Sequence, residues 1–235
     1  LVCHCIFETK PWNRDELFQI LQDTRKKWGA KVCYHMGDAR SEPRYPNDIS
    51  DIVDLGLVNN AELEKWSKIW HIPCIHWPYG CLFQKRISGR QDDLICNVAF
   101  TGGIDSNEYH SGRSEFLSML SKKFNTVKTF PDEKYGNTMF MTDVVASSAD
   151  CVLGFQMGKD ITGYVDVRPF QYIGAGAVYF HESHPNIQKF FRDYIYYIPF
   201  ISIDDFIPKW TEYANNMSIR ENAFSFCQET HSTKN

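Results

Sequence analysis

The sequence predicts an α/β protein built from two parallel-sheet units, and three observations carry that prediction. Short apolar runs of strand type alternate with segments whose apolar residues recur at helical spacing. The alternation stops at a polar, aperiodic stretch from Gln84 to Asp93 and then restarts from its beginning. With 235 residues and a hydrophobic fraction of 43%, the chain can bury one large core or two smaller ones, which argues against disorder.

The first half opens with a buried-type strand over Val2 to Phe7. Asn13-Arg14-Asp15-Glu16 then starts a helix whose apolar positions are Leu17, Phe18, Leu21 and Trp28, and Gly29 ends it. Lys31 to Met36 reads as the next strand, and an irregular Gly-Asp-Ala-Arg-Ser-Glu-Pro-Arg-Tyr-Pro loop follows. Asp51 to Asn59 reads as a third strand, Ala61 to Trp70 as a helix and Ile72 to Trp77 as a fourth strand.

The second half repeats this grammar. Strand Asn97 to Thr101 runs into a Gly102-Gly103 turn, and helix Ser111 to Phe124, strand Thr126 to Phe130, helix Met141 to Ser148 and strand Cys151 to Gly154 come next. A loop, a helix over Val167 to Gly174, a short strand over Ala177 to Phe180 and helical segments from Pro185 onward complete it. Parallel neighbours need a crossover connection, so this order implies sheets covered on both faces. The expected organisation is two Rossmann-like domains, 1–90 and 91–235, the first small or truncated. Residue 1 is Leu rather than Met and already sits in strand-type sequence, so the chain is expected to be a module of a larger polypeptide.

Charge and composition narrow the partners. The formal net charge is −4, and no Lys/Arg block is longer than the short Arg25-Lys26-Lys27 run, which leaves no footprint for duplex nucleic acid or an anionic lipid surface. Small molecules or glycans are the expected partners. The apolar run from Tyr194 to Ile203 is broken by Pro199 and falls well short of the roughly 20 residues that span a bilayer. Eight cysteines are scattered, with Cys3 and Cys5 the only close pair, so they read as reduced thiols and a cytoplasmic location is expected.

Gly102-Gly103, directly after an apolar strand, lets backbone amides approach phosphate oxygens; a plain tight turn is the alternative. The run lacks the G-x-G-x-x-G fingerprint of dinucleotide binding, which counts against a dehydrogenase. The segment from Gly163 to Ala177 combines a flexible start, a helix N-terminus and a small-residue exit. Exposed amides over Tyr164, Val165 and Asp166 suit a diphosphate, and Arg168 adds a charge-assisted contact; the alternative is a packing helix with a surface arginine. In the first half, Asp38 and His35 sit at the carboxyl end of a parallel strand, where either can serve as general base toward a hydroxyl. Asp38 can equally pair with Arg40 or Arg44, and His35 can be a satisfied strand histidine. His71, His76, His181 and His184 show no metal-ligand spacing, so no metal is expected. Trp66, Trp70 and Trp77 cluster, and the i, i+4 pair reads as core, with stacking on sugars the other use.

The segment Asp166 to Ala177 resembles the donor-binding signature of GT-B glycosyltransferases, in particular the CgeB-like, spore-maturation-type members of the group-one transferases. Cys96 to Gly102 followed by Arg113-Ser114-Glu115-Phe116-Leu117 looks like the strand, glycine turn and first helix of their C-terminal domain. Asp54 to Asn59, Ile72-Pro73 and Trp77-Pro78-Tyr79-Gly80 look like the end of their N-terminal domain. The resemblance implies two Rossmann-like domains facing across a cleft, with the donor on Gly102, Gly103, Arg113, Tyr164, Val165, Asp166, Arg168 and Gln171. It also places an acidic residue near Asp38. Many retaining members carry two glutamates at places that fall here on Gly163 and Gln171; Gln171 can still hydrogen-bond a ribose, whereas Gly163 has no side chain to offer.

The expected activity is transfer of a hexosyl or deoxyhexosyl group from a UDP- or GDP-linked donor to a glycan or other hydroxyl acceptor. The nucleotide-sugar is a substrate, and no cofactor is expected. The alternatives are a nucleotide-sugar epimerase or hydrolase, which would turn over donor without acceptor, and a non-catalytic interaction module.

Overall fold

A computed structural model describes residues 14–36, 49–78, 89–104, 112–130 and 142–231. The strand expected over Val2 to Phe7, the loop bearing Asp38 and most of the polar stretch before Gly89 lie outside the described residues. The chain divides into two units, Leu1–Pro78 with Gly158–Tyr164, and Tyr79–Met157 with Val165–Asn235.

In the first unit, α1 (Arg14–Trp28) precedes β1 (Cys33–His35), β2 (Leu55–Val58), α2 (Leu63–Trp70) and β3 (Cys74–His76). The three strands are parallel in the order β1-β2-β3. Their core is Leu21, Val32, Met36, Val58, Trp66, Trp70 and Ile72, closed by Ile49, Ile52 and Val53. The expected strand over 51–59 shortens to four residues because Val53 N–H donates to Ile49 O at 2.9 Å, winding the chain before β2 into a turn. Asp54 ends that turn, accepting from Val32 N at 2.8 Å and pairing with Arg25 at 3.1 Å and Lys31 at 3.2 Å.

The i, i+4 reading of α2 holds: Trp66 and Trp70 are buried with ring centroids 5.0 Å apart, and Tyr34 meets Trp70 edge-on at 5.1 Å. Gly56 admits this packing, since a Cβ there would stand 2.7 Å from Cys74 Sγ and 3.2 Å from Trp70. Trp28 differs from expectation. It shares the face of Leu21 but lies beyond the end of the buried cluster and is 71% exposed, with Lys27 Nζ 4.9 Å from its ring centroid. The segment at 158–164 belongs with this unit through Ala61 N–H, which donates to Thr162 O at 2.8 Å.

The second unit begins with a 3-10 turn at Asp92–Leu94. It continues through β4 (Cys96–Thr101), α3 (Arg113–Ser121), β5 (Val127–Phe130), α4 (Thr142–Ser148), β6 (Ala149–Gly154), α5 (Val167–Gly174) and β7 (Tyr179–Glu182). It ends with α6 (Pro185–Gln188), β8 (Ile198–Phe200), α7 (Ile203–Tyr213) and α8 (Met217–Thr230). All five strands are parallel, in the order β5-β4-β6-β7-β8. Alternate residues feed two cores, as a parallel sheet buried on both faces requires. Ala99 and Val152 face Phe170, Ile173 and Ala223, whereas Val98, Phe100, Cys151 and Leu153 face Leu117, Leu120 and Phe206.

The strand β8 corrects the expectation of helices from Pro185 onward. Pro199 removes a ladder donor, which suits only an edge strand, and β8 is at the edge of the sheet. At the amino end of the sheet, the Asp150 carboxylate ties three segments together. It accepts from Arg90 at 2.8 Å, Asn215 at 2.7 Å and Asn97 at 3.0 Å. Burial raises its pKa, and the hydrogen bonds from Asn215, Asn97 and Arg90 outweigh burial and leave it below the ordinary value. The resulting stability is present above the unfolded-state pKa and is lost as pH falls through the lower folded value. Asp150→Asn should therefore cost about 1–3 kcal/mol at pH 7. The gap to the parent chain should narrow below about pH 4, as urea melts at pH 7 and pH 3 would show.

Candidate functional site

The strand order of the second unit places its own crevice. The chain leaves β4 for β5 on one side and then crosses to β6 on the other, so the connections diverge at the carboxyl ends of β4 and β6. Open parallel sheets receive ligands at such a switch point. Gly102 and Gly103 follow β4 there, Phe155, Gln156 and Met157 follow β6, and Glu182 ends β7. Arg113 opens α3, and Arg168 stands in the first turn of α5.

Arg113 is the most constrained of these side chains. It is 2% exposed, its Cζ lies 5.9 Å from the Phe100 ring centroid and 5.7 Å from that of Phe155, and its Nη1 donates to Gly103 O at 3.2 Å. Its Nη2 is buried without a hydrogen-bond partner among the described residues. Burial first, and the neighbouring charge of Arg168 second, push its pKa down to about 10. The guanidinium therefore stays charged at neutral pH, in a place where a charge is costly unless compensated.

The Arg168 guanidinium lies over the glycine turn. A Cβ on Gly102 would stand 2.7 Å from its Nη1 and 3.0 Å from its Cζ, and Gly102 has a φ of +139°, so no side chain fits there by space or by backbone conformation. Arg168 Nη2 is 3.5 Å from Met157 Sδ and 3.8 Å from Asp166 Oδ2. Two guanidinium groups thus converge on one turn, with Asp166 and Glu182 as the carboxylates nearby. Such a place can hold an anion with more than one charged oxygen.

The start of α5 is capped by a side chain. Asp166 caps the helix, its Oδ1 accepting from Arg168 N at 2.8 Å, and Pro169 has no N–H. Tyr164 N–H donates to Ile161 O at 3.3 Å, and Val165 is buried in the core. The Asp166 carboxylate therefore supports Arg168. Gln171 is half-buried one turn further along. At Gly163, φ is +73° and a Cβ would stand 2.8 Å from Ala61 Cβ, which closes the position to a glutamate.

In the first unit, His35 ends β1 and is half-buried, while Asp38 lies outside the described residues. Among the described residues no group of three or more His, Cys, Asp or Glu is placed to hold a metal ion. Five cysteines are described, and all are thiols. No described helix is long and apolar enough to cross a membrane.

Residues of β7 enter the site that sequence reasoning did not select. His181 is buried and its Nδ1 lies 2.7 Å from Glu182 O; a carbonyl only accepts, so this nitrogen carries the proton. Burial drives its pKa down to about 4, against the opposing charge of Asp166. Tyr179 is likewise buried, with its phenol pushed well above the ordinary range by burial and by the Asp166 charge. Gly154 leaves room for both, since a Cβ there would stand 2.8 Å from His181 Cδ2 and would overlap the Tyr179 hydroxyl. Glu182 Oε2 accepts from Gln156 N at 3.3 Å. The available signal was the carboxyl end of the strand, which the apolar run Ala177 to Phe180 places two residues too early.

No protein-family model matches the sequence, and no curated protein does. Solved structures do match. A β-glucosyltransferase described as a DNA-modifying enzyme, with uridine diphosphoglucose as substrate, superposes with a TM-score of 0.58 at 13% identity, over 93% of this chain and 74% of that one. The T4 phage β-glucosyltransferase in complex with UDP-glucose gives 0.55 at 14% identity, over 89% and 72%. The pneumococcal O-GlcNAc transferase GtfA, in complex with UDP and GlcNAc, gives 0.52 at 13% identity, over 92% and 52%. The chain has the GT-B fold. The narrower CgeB-like resemblance finds no counterpart among these structures.

Within the GT-B fold the five-stranded unit carries the guanidinium pair, and its buried histidine supplies a measurable check on the geometry. Its folded pKa is lowered, so the unfolded chain binds the extra proton first and stability falls as pH drops from 6.5 toward about 4. Long-range nitrogen–proton spectra should show His181 as the neutral Nδ1–H form at pH 5.5; a titration near pH 6.5 would contradict its burial.

Proposed function

We propose that the chain is a glycosyltransferase that takes its sugar from a UDP-linked donor, with the diphosphate held by Arg113 and Arg168 above the Gly102-Gly103 turn. The observation that carries this reading is the Arg113 guanidinium, buried beside a second arginine with Nη2 unpartnered among the described residues. A bound diphosphate would supply the compensating charge. In sugar transfer, negative charge builds on the departing nucleoside diphosphate, and fixed donors in a water-poor site stabilise it without reorganising. Arg113 is pre-placed by Phe100, Phe155 and Gly103, and Arg168 by the Asp166 cap, so both meet this requirement before substrate arrives.

Uridine is favoured over guanosine because the T4 phage and pneumococcal structures contain UDP or UDP-glucose. Gln171 is assigned to the ribose hydroxyls. Since Gly163 has no room for a carboxylate, the sugar is positioned by other groups. The acceptor hydroxyl is assigned to the first unit, with Asp38 as its general base and His35 as the second candidate. The reading assigns no cofactor, the nucleotide-sugar being consumed as a substrate.

Calorimetric titration tests the donor site. UDP should bind more tightly than GDP, and Arg168→Ala should weaken UDP binding by about 1.5–3 kcal/mol, the scale of a charged hydrogen bond. Arg113→Met, which keeps an apolar stem in the same place, should lose UDP binding while melting at the same or a higher temperature, because it removes an uncompensated buried charge. Unchanged UDP affinity in both variants would exclude the assignment. For the acceptor side, Asp38→Asn should lower turnover by roughly 10²–10⁴ with UDP affinity unchanged; a turnover equal to that of the parent chain would move the base to His35.

A further inference from the structure

Among the described residues two carboxylates, Asp166 and Glu182, act on the buried guanidinium of Arg113, and they are committed differently. Asp166 serves Arg168: its Oδ1 accepts from Arg168 N at 2.8 Å and its Oδ2 lies 3.8 Å from Arg168 Nη2. Glu182 belongs to the Arg113 side. Strand β7 alternates, so Tyr179 joins the core with Phe170 and Ile173 of α5, whereas Phe180 joins the core with Leu117 and Leu120 of α3. Glu182 follows Phe180 by two residues and shares its face, the one on which Arg113 lies against the Phe100 and Phe155 rings.

The Glu182 carboxylate is held in place. Gly154 pairs with His181, which brings the residues after β6 alongside Glu182, and the Gln156 N–H donates to Glu182 Oε2 at 3.3 Å. The Gln156 side chain is occupied elsewhere, its Nε2 donating to Met157 O at 2.7 Å. One loop thus fixes Glu182 and also carries Phe155 to Arg113 and Met157 to Arg168. Glu182 is half-buried and stands within electrostatic reach of Arg113.

This charge bears on a difference between donor and product. In sugar transfer the bond between the anomeric carbon and the β-phosphate oxygen breaks, and its electron pair stays on that oxygen. The acceptor oxygen bonds to the carbon and gives its proton to a base. The released UDP has a terminal phosphate whose last proton leaves near pH 6, so at neutral pH it carries about one more negative charge than the donor. Two unopposed guanidinium groups would retain such a product, and product release limits turnover in many enzymes.

We infer that Glu182 is a specificity-determining residue that sets a fixed negative charge against the terminal phosphate and so loosens the hold on released UDP relative to the intact donor. This rests on the proposed transferase reading and adds to it a means of product release.

Calorimetric titration with two probes tests it: UDP, and the β-methyl ester of UDP, which has the donor's charge and no sugar. Glu182→Gln keeps the shape and an oxygen for the Gln156 N–H, and Glu182→Ser is a second neutral variant; thermal melting checks that each is folded. Glu221→Gln removes an equal charge from the exposed surface of α8. At pH 7.5 both Glu182 variants should tighten UDP about fivefold more than they tighten the ester, the scale of one charge several ångströms away in partly aqueous surroundings. At pH 5.5, where the terminal phosphate largely keeps its proton, the shift should shrink. His181 and Tyr179 stay uncharged at both pH values, burial lowering the first to about 4 and raising the second well above its ordinary range.

A UDP-to-ester ratio equal to that of the parent chain, the same shift in Glu221→Gln, or binding of UDP but not of the ester by the parent chain would each overturn the inference. So would a shift of undiminished size at pH 5.5, which a neutral hydrogen bond would give. Failure of UDP to bind the parent chain, or UDP affinity unchanged in Arg168→Ala, would instead count against the transferase reading, so the two failures are distinguishable.

Discussion

The site depends on one electrostatic constraint, the burial of the Arg113 guanidinium beside Arg168. An arginine beside two phenylalanine rings, with one carbonyl as its hydrogen-bond partner among the described residues, is a charge withheld from water, and removing charge from water costs several kcal/mol when it is not balanced. The neighbouring structure is arranged around that cost. Gly102 has no side chain because the Arg168 guanidinium occupies its place, and Asp166 holds α5 in the position that delivers Arg168. The strand order opens the sheet at this point and nowhere else among the described strands of the second unit.

The elements were legible where one residue decides each boundary. The helix expected over Val167 to Gly174, with its small-residue exit, is α5 with both ends in place, and the structure adds the Asp166 cap at its start. Gly29, with φ of +60°, ends α1 in the same way. The strand β8 was not legible because Pro199 argues against any ladder, and only its place at the sheet edge removes the objection. The exposure of Trp28 was equally hidden: helical spacing gives the face a residue shares, not how far along the helix the core extends.

The site was legible in its glycines and arginines, because a turn after an apolar strand and a charged residue at a helix start leave local signatures. The contribution of β7 was not. His181, Tyr179 and Glu182 join the site only because β7 lies beside β6, a fact of strand order that no local pattern encodes. The helix start carries a cap of its own. The Asp166 carboxylate takes the Arg168 amide. The guanidinium groups of Arg113 and Arg168 bring positive charge to the glycine turn.

The solved structures with this fold share only 13–14% of its residues, so they show architecture, and the chemistry rests on the guanidinium pair. A crystal structure of the chain grown with UDP would test that pair most directly. The predicted result is a β-phosphate oxygen within hydrogen-bonding distance of Arg113 Nη2 and of the Arg168 guanidinium, above Gly102. A nucleotide bound elsewhere, or Arg113 Nη2 left without an anionic partner while UDP occupies the crystal, would contradict it.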